Sequence, residues 1–208
     1  IYQVKPHFQA LLRPFVRSCA TAGVTANAVT VAAMAISLAL GLVLLMFGEQ
    51  QRSLFLLLPV WMFLRMALNA VDGMLAREFG QQSLLGAYLN ELSDVVSDAA
   101  LYLPFVVVAP FGWSSVGAVI FLSAISEMAG ALAPMVGAER RYDGPLGKSD
   151  RAFAFGALGL WVGLSSELPA AVFWLMPAMA VGIVLNTINR VRNGIDSVRG
   201  KQPGKVSS

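Results

Sequence analysis

Residues 69–98 read NAVDGMLAREFGQQSLLGAYLNELSDVVSD, and they place acidic and amide side chains in stretches otherwise apolar enough to lie in a bilayer. Ionisable groups are costly to keep there, so they indicate a functional site. Residues three or four positions apart share one helix face. Asn69 and Asp72 therefore share a face, as do the residues spaced by four on the next predicted helix: Gly86, Asn90, Asp94 and Asp98.

Two oxygen-rich helix faces joined by a short turn favour a cage for a hard cation. Oxygen ligands select Mg²⁺, Mn²⁺ or Ca²⁺ over zinc or copper, and Mg²⁺ is the usual ion where phosphate is handled.

The composition is that of a membrane protein. Of 208 residues, 57% are hydrophobic and 13% are charged, and the mean hydropathy is +0.67. Soluble domains carry about 25% charged residues. The single Cys19 excludes an internal disulfide, and the single His7 leaves neither a thiol–imidazole pair nor a His-rich metal site within reach. Acid–base chemistry therefore falls to carboxylates, and no nucleic-acid partner is expected.

Six apolar stretches are long enough to cross a bilayer, which takes about 20 residues each. The sequence thus predicts an all-α integral membrane protein with six transmembrane helices. The division between the last two is the least distinct, because only the SSELP stretch at 165–169 separates them. The spans are predicted at roughly 28–48, 54–77, 84–109, 113–136, 152–166 and 169–189.

Lysine and arginine residues are concentrated on one side of these predicted spans. The loops on the opposite side hold only Arg52. Because basic residues favour the cytoplasmic side, both termini and the loops at 77–85 and 137–151 are predicted to be cytoplasmic, in a bacterial inner membrane. The cage would then lie near the cytoplasmic ends of the second and third helices.

Three regions are predicted along the chain. Residues 1–20 mix apolar and basic side chains, which indicates an amphipathic helix lying on the cytoplasmic leaflet and facing anionic lipid. A helix packed on the bundle is the alternative. Residues 21–195 form the six-helix catalytic domain, in which Thr25 is placed to cap the first span. Residues 196–208 are predicted to be a disordered cytoplasmic tail.

The motif at 69–94 resembles that of the CDP-alcohol phosphotransferase family. The family pattern D-x-x-D-G-x-x-A-R-x8-G-x-x-x-D-x-x-x-D here reads N-A-V-D-G-M-L-A-R, eight residues, and G-A-Y-L-N-E-L-S-D, so every spacing agrees. Two acids are replaced by amides, at Asn69 and Asn90. The segment GVTANAVT at 23–30 is similar to the family's P-N-x-x-T without its proline. Six positions agree in residue type: Asp72, Gly73, Ala76, Arg77, Gly86 and Asp94.

The resemblance, which covers nearly the whole chain, implies a six-helix membrane enzyme, commonly a homodimer. Such an enzyme transfers a substituted phosphate from a CDP-linked donor to an alcohol acceptor and releases CMP. In the best-known bacterial members the donor is CDP-diacylglycerol and the product is a phospholipid.

The same resemblance implies roles for individual residues. Asp94 would be the general base for the acceptor hydroxyl as well as a metal ligand. Two Mg²⁺ or Mn²⁺ ions would be held by Asn69, Asp72, Asn90 and Asp94. The nucleotide and donor phosphates would lie against Gly73, Ala76, Arg77 and Gly86, with Asn27 and Thr30 as further candidates.

The two amides remove two of the four negative charges that the family pattern supplies, so metal affinity should fall unless another group compensates. Glu91 and Asp98 are candidates to restore charge; Asp98 fits equally well a buried partner of Arg65. A noncatalytic relative that keeps a nucleotide-lipid site is one alternative function. A small cation transporter is another, and it predicts repeats or broken helices at the bilayer midplane.

Four residues are weaker candidates for contacts to the acceptor or a phosphate. Arg65 shares a helix face with Asn69 and either touches an anionic substrate or neutralises a nearby acid. Glu127 either lines the acceptor pocket or makes an interhelical hydrogen bond. Lys148 and Arg151 follow a basic loop whose alternative role is to set the topology. The motif does not specify the acceptor alcohol.

Overall fold

The computed structural model describes the backbone of residues 4–141 and 144–199 and the side chains from residue 8 onward. These residues form helices and connecting turns, with no strand among them. Short 3₁₀ segments lie at Arg52–Leu56, Leu103–Val107, Ala133–Val136 and Ala170–Trp174. Seven α-helices are described: α1 (Val4–Thr21), α2 (Ala26–Phe47), α3 (Leu57–Glu78), α4 (Leu84–Tyr102), α5 (Trp113–Ala131), α6 (Lys148–Leu164) and α7 (Leu175–Arg199).

The six helices after α1 overlap the six predicted apolar stretches, although α4 ends at Tyr102 and α7 begins at Leu175 and extends to Arg199. Within the described residues, four helical segments are long and apolar enough to cross a membrane: Ala26–Phe47, Arg52–Glu78, Trp113–Val136 and Ala170–Arg199. By contrast, α4 carries three carboxylates, at Glu91, Asp94 and Asp98, and α6 has only 17 residues. The fold is therefore an all-helical membrane fold, and a six-span topology stays a prediction.

Apolar side chains cover much of the outer surface, whereas several charged side chains are buried inside the bundle. Phe63 is 58% exposed and Phe121 is 64% exposed, while Arg151 is 0% exposed. This distribution suits a lipid environment, in which exposed apolar groups are stable and inward-facing charges pair with each other.

The end of α7 differs from the prediction for the tail. The helix extends to Arg199, so residues 196–199 are helical rather than part of a disordered segment. Gly194 is also buried, so α7 packs against its neighbours beyond residue 189, where the last predicted span ends. Residues 200–208 lie outside the described residues.

The bundle has two apolar cores. The larger core contains a stacked pair, Tyr102 and Phe155, whose ring centroids are 3.8 Å apart, with Phe105 packed on Phe155 at 5.3 Å. The smaller core joins α1, the start of α2 and the end of α3 through buried residues such as Val16 and Leu75. The smaller core lies at the end of the bundle that carries the motif.

Helix α1 packs on this smaller core, as the alternative for residues 1–20 predicted. Val16 is buried, and Arg13 pairs with Glu78 at the end of α3 at 3.1 Å. Leu11 and Phe15 point outward, at 76% and 54% exposure. A position of this exposed face on the membrane surface stays a prediction.

The start of α2 is held against the turn between α3 and α4. Thr25 caps the helix as predicted, because its hydroxyl accepts a hydrogen bond from the Ala28 amide at 3.1 Å. The Gln81 side chain also accepts a hydrogen bond from the Ala26 amide at 2.7 Å. Farther along, α2 and α4 touch closely: a Cβ at Gly41 would lie 2.2 Å from the Ala100 carbonyl oxygen. These contacts place the first turn of α2 beside the motif.

Candidate active site

The motif residues of α3 and α4 face each other across the helix pair. The Asn69 side-chain amide donates a hydrogen bond to Asp94 Oδ1 at 3.2 Å. From α2, the Thr30 hydroxyl donates to Asp72 Oδ2 at 2.7 Å. Three helices thus bring together two carboxylates, an amide and a hydroxyl that are far apart in the chain.

A cavity of about 800 Å³ opens between α2, α3 and α4. All six residues predicted for the donor line it, together with Asp72 and Asn90 of the predicted metal cage. Asn69 and Asp94 are not part of its wall. Its lining consists of Ala26, Asn27, Thr30, Asp72, Gly73, Ala76, Arg77, Gln81, Gln82, Ser83, Leu84, Gly86, Ala87, Asn90 and Glu91.

Two glycines keep this cavity open. A Cβ at Gly86 would lie 2.8 Å from Asn27 Oδ1 and 2.9 Å from Ser83 Oγ. A Cβ at Gly73 would lie 3.1 Å from the Arg77 guanidinium. A side chain at either position would therefore displace polar groups of the wall, so small residues here have a steric reason.

The two carboxylates of the predicted cage have different surroundings. Asp72 accepts a hydrogen bond from a neutral hydroxyl, whereas Asp94 is surrounded by cations. Arg65 Nη2 lies 3.3 Å from Asp94 Oδ1, and the Lys148 ammonium pairs with Asp94 Oδ2. Lys148 is the first residue of α6, so a fourth helix reaches the cage.

A second group of charged residues lies inside the bundle, and we call it the buried ionic cluster: Arg65, Asp98, Glu127, Arg151 and Arg190. All five are at most 7% exposed. Arg65 Nη1 contacts Asp98 Oδ1 at 2.5 Å, Arg151 Nη2 contacts Glu127 Oε1 at 2.7 Å, and Arg190 Nη1 contacts Glu127 Oε2 at 3.3 Å. Arg151 and Asp98, 3.8 Å apart, link the two halves.

These contacts clarify several weaker candidates. Asp98 is the buried partner of Arg65, as its alternative interpretation predicted, and it does not line the cavity. Glu127 and Arg151 bind each other and do not line the cavity. Glu91 does line the cavity, where it pairs with Arg140.

The packing role of α7 was not predicted from the sequence. Arg190 is one of the basic residues that follow the last predicted span, yet it is 2% exposed and donates a hydrogen bond to the Ser126 carbonyl oxygen at 2.6 Å. Asn186, one turn earlier, accepts from Ser126 Oγ at 2.9 Å and donates to the Pro145 carbonyl oxygen at 2.7 Å. Their spacing of four on an apolar helix was the available signal.

The donor atoms of the cage fit a hard divalent cation in type. Carboxylate and amide oxygens of Asp72, Asn90, Asp94 and Asn69 come from two adjacent helices, and the Lys148 ammonium already places a cation at Asp94. The cage carries only two carboxylates, Asp72 and Asp94, and among the described residues no group of three His, Cys, Asp or Glu side chains could hold a metal ion.

Comparisons with known proteins agree with this architecture. The family model described as CDP-alcohol phosphatidyltransferase matches residues 23–193. The inner membrane protein YnbA of Escherichia coli (strain K12) is 46% identical over 193 residues, which cover 93% of this chain and 95% of that protein.

Two solved structures of Mycobacterium tuberculosis phosphatidylinositol phosphate synthase (PgsA1) share the fold. The structure with CDP-DAG bound has a TM-score of 0.70 at 20% identity and covers 94% of this chain and 96% of that chain. The complex with manganese and citrate has a TM-score of 0.67 at 19% identity, covering 94% and 91%.

Proposed function

The chain belongs to the CDP-alcohol phosphatidyltransferase family, and from this membership we propose that it transfers a phosphatidyl group from CDP-diacylglycerol to an alcohol acceptor. CMP is the second product, and the reaction serves phospholipid synthesis. The solved relative with CDP-DAG bound supports a CDP-linked lipid as the donor.

The observation that carries this proposal is the composition of the cavity wall. Its volume of about 800 Å³ suits a nucleotide, and the small residues Gly73, Ala76 and Gly86 lie beside Arg77, whose guanidinium can bind phosphate. The cavity lies between helices, so the lipid tails of a donor can remain in the bilayer.

Asp72, Asn90, Asp94 and Asn69 would hold Mg²⁺ or Mn²⁺, which we propose as two ions. When bound, such ions neutralise the charge of the diphosphate. Asp94 receives the proton of the acceptor hydroxyl. The acceptor oxygen bonds to the phosphorus that carries the diacylglycerol, and the bond from that phosphorus to CMP breaks.

We further propose six transmembrane helices with both termini in the cytoplasm, and a homodimer. Single cysteines in a Cys19→Ser background test the topology. Arg192→Cys is at an exposed position of α7, and Gln50→Cys is at an exposed position after α2. We expect an impermeant thiol reagent to label Gln50→Cys in intact spheroplasts and Arg192→Cys only after permeabilisation. The reverse pattern would contradict the orientation.

Light scattering of the purified protein tests the dimer.

The reaction itself is tested with purified protein, CDP-diacylglycerol, Mg²⁺ or Mn²⁺, and pooled candidate alcohols. We expect CMP release together with one new lipid, whose mass identifies the acceptor. Excess chelator should stop both. CMP release that continues in chelator would exclude the role proposed for the metal.

A noncatalytic relative is the second candidate, because the cage holds amides at Asn69 and Asn90 and its Asp94 is already paired with Lys148. It predicts that CDP-diacylglycerol binds without CMP release under all conditions. We do not propose a transporter, because the helices that carry the cage, α3 and α4, run without a break.

A further inference from the structure

The carboxylate of Asp94 has protein partners on both oxygens. Oδ1 accepts the Asn69 amide at 3.2 Å and lies 3.3 Å from Arg65, while Oδ2 pairs with the Lys148 ammonium. This carboxylate is 18% exposed. Asp72, the other acid of the cage, accepts a hydrogen bond from the neutral hydroxyl of Thr30 on its Oδ2. A positive charge therefore already lies at one side of the cage.

The backbone that carries Lys148 is anchored. The Pro145 carbonyl oxygen accepts a hydrogen bond from Asn186 at 2.7 Å, and the Leu146 carbonyl oxygen accepts one from Arg151 at 3.0 Å. The Gly147 amide donates to Asp150 at 3.1 Å, which begins α6. The lysine side chain is different: it is 28% exposed and has a flexible four-carbon stem. The ammonium can therefore leave Asp94 while α6 stays in place.

An ammonium and a divalent cation compete for the same oxygen. The cage contains two carboxylates, Asp72 and Asp94, because its other ligands are the neutral amides Asn69 and Asn90. While Lys148 remains paired, it cancels one of these two negative charges and blocks one ligand atom. A divalent ion at Asp94 would also be repelled by the nearby ammonium.

From this geometry we propose that Lys148 is an internal counter-ion of Asp94, which the metal must displace in order to bind. The inference rests on the proposed metal-dependent function. Lys148 thereby determines the metal concentration at which the site fills, and its release frees a cation beside the cavity at the moment the cage is loaded. Lys148 is therefore a positioning residue: it holds the Asp94 carboxylate while no metal is bound.

Metal binding can be measured without turnover. Mn²⁺ is titrated into the purified protein in detergent, and the free ion is quantified by electron paramagnetic resonance. For Lys148→Met we expect the dissociation constant to fall by about three- to tenfold, which corresponds to about 0.7–1.4 kcal/mol, because the metal no longer has to displace an ammonium from Asp94. Lys148→Gln should behave in the same way, and Lys148→Arg should retain weak binding.

Arg192→Met is the matched control, because it removes one positive charge at an exposed position of α7, away from Asp94. Its dissociation constant should equal that of the unmodified protein. Equal Mn²⁺ affinity in Lys148→Met, Lys148→Gln and the unmodified protein overturns the counter-ion role while leaving the proposed function intact. Absence of Mn²⁺ binding in every variant overturns both. Weaker binding in the folded Met and Gln variants overturns the proposal and instead indicates that Lys148 supports the site.

Discussion

The cavity wall and the buried ionic cluster are neighbouring regions of one bundle, and both place polar residues in apolar helices. They differ in what these residues contact. In the cluster, Glu127 is paired with Arg151 and Arg190, and Asp98 with Arg65. In the wall, Asp72 contacts a hydroxyl, and it lines an open cavity.

The two regions thus use charged side chains of membrane helices in different ways. Burial of an ion costs several kcal/mol unless a partner compensates it, so a paired cluster stabilises one arrangement of α3 to α7. Polar groups that face an open cavity can instead be compensated by a ligand. Position in a membrane helix therefore does not by itself distinguish the two uses, and the contacts of each carboxylate are needed as well.

The largest expected effect is loss of stability when the cluster is broken. Glu127→Leu leaves Arg151 and Arg190 buried without their carboxylate, and we expect the free energy of unfolding to fall by about 3–5 kcal/mol. Denaturant titration in detergent measures this change. Glu78→Gln, which breaks the exposed pair with Arg13, is the control and should cost about 1 kcal/mol or less. Similar losses in the two variants would contradict the distinction between them.

The next effect is loss of activity when the wall is changed. Asp72→Asn keeps an oxygen acceptor for Thr30 but removes the charge, so we expect stability to change little. CMP release should fall by about 10²–10³-fold, the usual range for removing one electrostatic contact to a reacting group. Initial rates at saturating donor measure this loss. Wild-type rates in a folded Asp72→Asn protein would remove Asp72 from the mechanism.

A smaller effect tests whether Asp98 belongs to the cluster or to the cage. Asp98→Asn weakens the contact with Arg65, which should cost about 2 kcal/mol of stability. Adding Asn90→Asp should recover neither stability nor metal dependence, since Asn90 lines the cavity whereas Asp98 is paired with buried Arg65. The Mg²⁺ concentration for half-maximal CMP release is measured in both single variants and the double variant. Recovery in the double variant would assign Asp98 to the cage.

The smallest expected effect concerns the shape of the cavity. Gly86→Ala places a methyl group against Asn27 and Ser83, and the resulting overpacking costs about 1–2 kcal/mol. We expect the KM for the donor to rise by about tenfold. Gly117→Ala is the control, because nothing lies within 4 Å of a Cβ at that position in α5. An unchanged KM in Gly86→Ala would show that the donor does not use this wall.

Several features of the fold and of the site were predictable from local sequence. The positions of α2 to α7 follow from the lengths of the apolar stretches, and the Thr25 cap follows from a hydroxyl just before such a stretch. The family resemblance implied Gly73, Ala76 and Gly86 as parts of a donor site, and all three line the cavity. The spacing of Asn69 and Asp72 on one helix, and of Gly86, Asn90 and Asp94 on the next, predicted one polar face on each helix. Periodicity carries this information because a helix repeats every 3.6 residues.

Other features depended on contacts between distant helices. Arg190 follows the last predicted span and contributed only to the topology prediction, although it binds Glu127 of α5, 63 positions earlier. Lys148 was a weak candidate for substrate, although it pairs with Asp94. The rotation of α5, α6 and α7 about their axes decides these pairs, and this rotation is determined by packing of the whole bundle rather than by any local pattern.

The sequence by itself determined that the protein is helical, apolar and equipped with a metal-type motif on two adjacent helices. It did so because helix periodicity and hydrophobic length are local properties. Only the tertiary structure decided which charges face the cavity and which neutralise each other. The physical reason is that the pairing of a buried charge depends on distances of a few ångströms between helices, and chain position does not fix such distances.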